Sequence, residues 1–553
     1  MPTSFHHNLR VSPLALALFA GLGLSTNAMA AFQVPVTTSG DAGTNATCTL
    51  RQAITTLNNG SAINTACVPS SISGSTDSIV FNTATFPPNG ANTITLADAA
   101  NNQLLITDSN LTIDASANGN VTVQRAATAT NAFGIIYAYS SNKAGNLTIK
   151  NLTIANGKLT AVQPSHAALG AGIATLYGSL TVIDSVVTGN SIATGNTATY
   201  NYAAGAGIAV YAGDLTLTNS TVSNNSVSSF SGASGHGGGV FTRPNIYSHV
   251  GGNATISGSQ ISGNTAKGNG GGLQVDGTLT MTGSRVTGNT ANNNGGGMKI
   301  YAVTTLTNST VSGNTATNGG GGIYDAAGYH VPQALLTLTG TTLSGNMATN
   351  TGGARGGGIF TRYGNLSFLN STIAGNSASL YGGGIYVKNN TQPITFQQAT
   401  LASNFANNRG GGLMIATSGA GTVTFNGTLF DNTGAPSTGG GNIAVTIGGI
   451  TIAGSNNLEF SGTAGDINAS FTNAPLTGDP ILTPPSNFGG PTKTMFPLAG
   501  SAAINAIPAT GGSCPVATDQ RGVARPRGAG CDIGAVEADA ATGNDIIFID
   551  GFD

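Results

Sequence analysis

Through the central part of the chain, apolar residues come in short bursts that alternate with polar ones, and glycine- and asparagine-rich corners separate the bursts. In one such unit, Gly295 to Ile300 (GGGMKI) opens a strand, Thr305 to Thr307 (TLT) a second and Thr310 to Ser312 (TVS) a third, with Gly313 and Asn314 turning the corner. Thr, Val and Ile suit a pleated, half-buried surface, while Gly, Asn and Ser suit tight turns. No run of ten or more residues in these units carries helical periodicity.

The unit recurs. An aliphatic residue three positions before an asparagine appears nine times: Val187/Asn190, Val222/Asn225, Ile261/Asn264, Val286/Asn289, Val311/Asn314, Leu343/Asn346, Ile373/Asn376, Leu401/Asn404 and Leu429/Asn432, spaced by 25 to 39 residues. A period in that range is the signature of a solenoid, and three short strands per turn predict a parallel β-helix. Its inward positions follow from alternation. Two residues after Ile208, Val240, Leu273, Met298, Ile359, Ile385 and Leu413 stand Val210, Thr242, Val275, Ile300, Thr361, Val387 and Ile415, all apolar or β-branched. Asp325, two after Ile323, breaks this column and predicts a locally distorted turn. Asparagine at one corner of every turn is suited to a ladder of side-chain amides. Glycine at the other allows positive φ and close approach of neighbouring turns. None of the glycine clusters is followed by Lys-Ser/Thr and a helix, which excludes a phosphate loop. Residues 103–475 would hold roughly a dozen turns at ~4.8 Å each, a rod on the order of 60 Å long whose open ends call for caps.

Composition adds an address. The first 30 residues have the form of a signal peptide, with Arg10, an apolar stretch from Leu14 to Leu24 and Ala28-Met29-Ala30 before a mature start at Ala31. No later segment is apolar enough to span a bilayer, so no integral membrane segment is expected after cleavage. Only 7% of residues are charged and the net charge is −2, which argues against a nucleic-acid partner. Four cysteines fall in two close pairs outside the repeats, Cys48 with Cys67 and Cys514 with Cys531. Three connectivities are open, and local pairing is the simplest in an oxidising compartment. No cofactor and no metal-ligand set is predicted, since neither His nor CxxC accompanies either pair.

Cys48 to Asn58 (CTLRQAITTLN) resembles the signature of the CSLREA domain found at the start of bacterial secreted β-helix proteins; it matches at Cys48, Leu50, Arg51, Ala53, Ile54 and Asn58 and departs at Thr49 and Gln52. Leu50, Ile54 and Leu57 lie at helical spacing, predicting a short amphipathic helix that plugs the first turn. Asp479 to Ala506 and Asp519 to Glu537 (DQRGVARPRGAGCDIGAVE) resemble the choice-of-anchor Q domain, with one inserted residue in Asn487-Phe488-Gly489-Gly490-Pro491-Thr492. The central repeats are similar to the GGA[ILV] and FxxN repeats of chlamydial-type polymorphic outer membrane proteins, with a third glycine for alanine and Val, Ile or Leu for Phe, and autotransport by a membrane barrel of that group's kind is not expected. Together these resemblances imply an all-β, right-handed parallel β-helix, a pectin-lyase-like solenoid with capped ends. The implied organisation is a signal peptide at 1–30, a cap at 31–102, the β-helix at 103–475, an anchor-type region at 476–537 and a tail at 538–553. The tail, Asn544 to Asp553 (NDIIFIDGFD), reads either as a capping strand or as a terminal tag.

Function is less legible. Pectate lyases and polygalacturonases share the parallel β-helix, so an enzyme is one expectation, but fold alone does not assign activity. Hydrolysis of a glycoside needs paired carboxyl groups and a calcium-dependent lyase an acidic cluster. From residue 126 to 430 the acids are Asp184, Asp214, Asp276 and Asp325, no two adjacent. Gly235-His236-Gly237 lacks the companion motifs of polygalacturonases, and His236 reads as a corner residue; His166, His249 and His330 have no partner at ligand spacing. The same segment carries 11 Lys and Arg against those four acids. One and three residues after the aliphatic anchors, alternation points outward Phe241 and Arg243, Lys299 and Tyr301, Phe360 and Arg362, Tyr386 and Lys388, with Tyr211 and Tyr324 on the same face. Aromatic rings beside cations can stack on sugars and hold anionic substituents. The expectation is therefore an exported or surface-associated protein with a non-enzymatic binding or structural role, such as adhesion or interaction with extracellular glycans or cell-envelope components, with a polysaccharide lyase or hydrolase as the alternative and a plain solvated face as the simplest reading of the ladder.

Overall fold

In the computed structural model the described residues are 31–107, 110–139, 145–161, 168–194, 202–229, 234–245, 247–326, 334–417, 419, 421–432, 441–445, 450–460, 470–509 and 514–539. The signal-peptide stretch, His166, His330 and the NDIIFIDGFD tail lie outside them.

The chain coils into a parallel β-helix, with four strands in each turn between Val240 and Ala406. In the turn that begins at Met298 these are Met298–Ile300, Thr304–Thr307, Thr310–Ser312 and Thr315–Ala316. Stacked turns give four long parallel sheets, numbered here in the order the chain visits them, and a short fifth one of Ala168–Leu169, Tyr202–Ala204 and Ser234–His236 that precedes sheet I in three early turns. Sheet I runs from Leu104–Ile106 to Ile443–Val445 and sheet III from Thr93–Leu96 to Leu476–Thr477. Sheet IV runs from Lys158–Ala161 to Phe405–Ala406, and sheet II from Ala31–Val36, flanked by antiparallel Ser70–Ile72, to Ser470–Phe471. The fourth strand differs from the three-strand expectation. Its cause is the dipeptide after the ladder asparagine, whose second residue points inward: Ala266, Ala291, Ala316, Ala348, Ala378 and Ala406 are all buried.

The asparagine ladder is as expected. Each amide donates to the next turn's side-chain oxygen from Asn190 through Asn225, Asn264, Asn289, Asn314, Asn346, Asn376, Asn404 and Asn432 to Asn442, at 2.8–3.0 Å. A second ladder was not anticipated. At the corner between sheets II and III, the backbone N–H groups of Ser185, Ser220, Ser259 and Ser284 donate to the hydroxyl of the next turn's serine at 3.0–3.3 Å. Ser309 continues it to Thr341, and Thr341 to Ser371. At the glycine corner the backbones nearly touch: a Cβ on Gly296 would stand 2.4 Å from the carbonyl oxygens of both Gly321 and Thr315.

The inward column is filled as alternation predicts, with one correction. Asp325 is not the mark of a distorted turn: it sits in the regular strand Ile323–Asp325, 2% exposed, in register with Ile300 and Thr361. The next turn makes this tolerable, because the Thr361 hydroxyl donates to its carboxylate at 2.9 Å.

The helix α1 (Leu50–Asn59) plugs the first turn with Leu50, Ala53, Ile54 and Leu57. Thr49 and Gln52 form a reciprocal capping box, so the two departures from the motif retain its capping chemistry. Arg51 grips Asp41 through two bonds and also donates to the carbonyls of Asn102 and Gln103. Asn58 both donates to Leu105 O and accepts from Thr107 N, satisfying the open edge of sheet I as another strand would. The disulfides are the local ones, Cys48–Cys67 and Cys514–Cys531.

Residues 479–509 and 514–538 lie along the side of the rod, on the outer face of sheet III. Thr492 Oγ1 donates to Gly340 O, Thr372 Oγ1 to Gln520 Oε1, Asn370 Nδ2 to Thr518 O and Ala535 N to Thr400 Oγ1. Met495 packs on Ala374 and Ala402, and Ile507 and Ile533 on Leu429 and Leu458.

Candidate functional site

Two regions concentrate charge. In the C-terminal segment the DQRG…CDIGAVE residues form a buried network: Arg525 pairs with Glu537 at 2.7 Å with both side chains fully buried, and Arg521 pairs with Asp519. Glu537 accepts from the backbone of Arg527 and Asp532; Asp519 accepts from that of Arg521, Val523 and Glu537. Asp532 accepts from Asn505 N and Ala538 N, yet burial pushes its carboxyl up to about 7. These acids are bound to their own loop, which makes the cluster a fold-holding device. Among the described residues no group of three or more His, Cys, Asp or Glu is placed to hold a metal ion.

The second region is the outer face of sheet I. The short segment that enters each glycine corner builds a wall along this face, through parallel bridges His236–Asn269 and Asn294–Gly319–Arg355–Tyr381–Arg409. The wall leans on the first outward residue of each strand. A Cβ on Gly319 would meet Phe360 at 3.2 Å, Tyr381 stacks on Tyr386, and the Arg355 guanidinium lies 5.6 Å from the Tyr386 ring centre. Phe241, Tyr324, Phe360 and Tyr386 are consequently buried. Tyr324, Phe360 and Tyr386 stack on one another, with ring centres 4.6 and 5.2 Å apart. Alternation assigns their direction, but these four rings have no open face for a ligand.

Among the residues three positions after an anchor Ala326 is buried, while Tyr211, Arg243, Asp276, Tyr301, Arg362 and Lys388 are at least partly exposed. Tyr211 is half-buried and heads an edge-to-face chain with Tyr177 and Tyr139, at 5.8 and 6.1 Å. Tyr139, Leu176, Tyr211 and Arg243 stand in register on successive turns. Arg243 pairs with Asp276 at 3.7 Å, and Gln274 donates to the same carboxylate. Lys299 is half-buried with its ammonium 5.0 Å from the Tyr301 ring centre and 5.7 Å from that of Tyr324. Burial draws the Lys299 amine down to about 8, with Asp276 opposing and Arg362 assisting. Burial likewise pushes the Tyr301 hydroxyl up to about 12, with Asp276 and Tyr324 adding to it. A hydrogen bond with Tyr324 raises the already high proton affinity of Arg362. Lys388 is exposed at the far end.

His236 is a wall residue, as its place in a glycine cluster implies. Its Nδ1 accepts from the Asn269 amide at 3.2 Å, and burial, then Lys299 and Arg243, lower its proton affinity to about 4, so it is neutral at pH 7. His249 lies in an exposed loop. The four acids between residues 126 and 430 do not meet on one face: Asp184 and Asp214 are exposed outside the strands, Asp325 points inward and Asp276 alone joins the lateral site. Sequence reasoning missed Tyr139, Tyr177, Tyr363, Arg355, Tyr381 and Arg409. The last three immediately precede a glycine cluster, a recurring signal; Tyr177 and Tyr363 follow their anchors by four.

Four-stranded parallel turns, aliphatic columns and the asparagine ladder define a right-handed parallel β-helix. Residues 186–334 match the family model for a right handed beta helix region. No curated protein matches the chain.

Proposed function

We propose that the protein is an exported β-helix that binds extended glycans along the outer face of sheet I, as an adhesin or cell-envelope component and without catalysis. One observation carries this reading: Tyr139, Tyr211 and Arg243 stand in register on the outer face of sheet I with Tyr177 packed between the two tyrosines, and Tyr301, Arg362 and Lys388 hold the corresponding position on later turns. Tyrosine rings offer flat apolar surface and a polar tip, and neighbouring cations supply hydrogen-bond donors, a combination suited to sugars. Export is supported by the signal-like first 30 residues and by two disulfides, which persist in oxidising compartments. No helix among the described residues is long and apolar enough to cross a membrane. The capped, clamped helix at 50–59 supports a CSLREA-like N-terminal region, and the self-bonded network at 519–537 supports a choice-of-anchor Q-like segment fastened to the rod.

A glycan array probed with the mature chain tests the proposal. The expected result is binding to a restricted set of glycans that is lost in a folded Tyr211→Ala/Arg243→Ala/Tyr301→Ala/Arg362→Ala variant; unchanged binding would eliminate this face.

A second reading has one observation in its favour. Lys299, its proton affinity lowered by burial against Tyr301 and Tyr324, has the properties of a general base for a polysaccharide lyase. Ultraviolet-absorbing unsaturated product from polygalacturonate, lost in Lys299→Met, would establish it; the binding reading predicts intact polymer.

A further inference from the structure

The lateral face is chemically uneven along its length. Its first turns carry tyrosines, Tyr139, Tyr177 and Tyr211, whereas from Arg243 onward cations dominate. Counted in turns of sheet I, Lys299 lies two after Arg243 and two before Arg362. The groups between them tie the three together. Asp276 pairs with Arg243, Tyr301 and Tyr324 present their rings to the Lys299 ammonium, and Tyr324 is hydrogen-bonded to Arg362. Among the described residues of this stretch Asp276 is the single carboxylate on the outer face, so three cations face one anion. Lys299 is the most enclosed of the three, held in surroundings that disfavour its charge.

We propose that Arg243, Lys299 and Arg362 form a row of subsites for oxyanions carried along a chain of sugar rings, so that the ligand of this face is an acidic polysaccharide. This rests on the glycan-binding reading above and adds the ligand's charge to it. A carboxylate or sulfate beside Lys299 replaces the water that burial removes and restores the full charge of the amine. The guanidinium groups at either side supply planar, forked donors that fit such anions. Two turns correspond to ~10 Å along the rod, a distance similar to two sugar units of an extended chain, so cations recur at the interval of an anion on alternate sugars. Free Lys299 loses its proton near 8, and binding of an anion has to hold that proton on; affinity therefore falls as pH rises beyond 8.

Calorimetric titration of the mature chain with four oligosaccharides of equal length tests this: a homopolymeric uronate, an alternating uronate of the hyaluronan type, a heparin-derived sulfated one and a neutral chito-oligosaccharide. Expected are tighter binding of an acidic than of the neutral ligand, weakening with added salt, and at least a tenfold loss in Lys299→Met and in Arg362→Ala. Lys299→Arg should retain binding and move its alkaline decline upward. Whether the uronates or the sulfated ligand binds more tightly identifies the oxyanion, and either result supports the subsites. Neutral and acidic ligands bound equally, with both charge-removing variants unaffected, would overturn the subsites while leaving glycan binding intact. Binding of none of the four would overturn both, and melting curves of each variant verify that the rod is folded.

Discussion

At the scale of single residues, the rod depends on polar groups that are buried but satisfied. Asn289 shows the arithmetic. Its side-chain oxygen accepts from both the backbone and the side-chain amide of Asn264, and its own amide donates to Ile261 O and to Asn314. Asn289→Ala takes the acceptor from the buried Asn264 N and removes one bond each from Ile261 O and the Asn264 and Asn314 side chains, and an orphaned buried group costs roughly 1–3 kcal/mol. The expected outcome is a loss of that order or more in chemical denaturation, whereas Thr280→Ala on the exposed face of sheet II should change stability by less than about 0.5 kcal/mol. Equal effects would deny the ladder a structural role. Asp532 supplies a pH test. Burial raises its carboxyl from the 3.8 of a free aspartate to about 7. The folded state therefore holds a proton that the unfolded chain has already released between those values. That contribution is fully present below about 4 and is lost as pH rises through 7. Melting temperatures measured across this window should decline toward neutral pH, and Asp532→Asn should flatten the decline, even though it removes an acceptor for Asn505 N or Ala538 N. A slope unchanged by the substitution would show that other groups set it.

At the scale of elements, most of the rod was legible because its signals repeat. Alternation placed Met298 and Ile300 inside, and the spacing of Leu50, Ile54 and Leu57 gave the plugging helix its buried face. What escaped was either short or dependent on neighbours. The fourth strand of each turn is two residues long in most turns, too little to show a period, although the recurring Asn-x-Ala around Ala291 and Ala316 announced it. The serine ladder was hidden by ordinary composition, since Ser259 and Ser284 look like any corner serine until adjacent turns are stacked. The site was half-read for the same reason. Alternation gives a side chain's direction, which is right for Phe360, but burial also depends on the wall, and the wall comes from the residues before the next glycine cluster. The buried Asp325 was misjudged because its acceptor need is met by Thr361, 36 residues later.

At the scale of the whole molecule, the rod presents faces with different uses. Sheet III is covered over several turns by residues 479–509 and 514–538, fastened through Thr492, Gln520 and Ala535. Between Thr216 and Thr339 the outer face of sheet II is a plain array of hydroxyls, including Thr280, Thr305 and Thr337, in contrast to the aromatic and cationic groups that crowd sheet I. The central claim is that ligand recognition belongs to sheet I alone. The most direct measurement is the affinity of the mature chain for its tightest array glycan, compared between two folded variants: Tyr211→Ala/Tyr301→Ala/Arg362→Ala on sheet I and Thr280→Ala/Thr305→Ala/Thr337→Ala on sheet II. Loss of at least tenfold in the first with wild-type affinity in the second is the predicted result, and retained affinity in the first, whatever happens in the second, would contradict it.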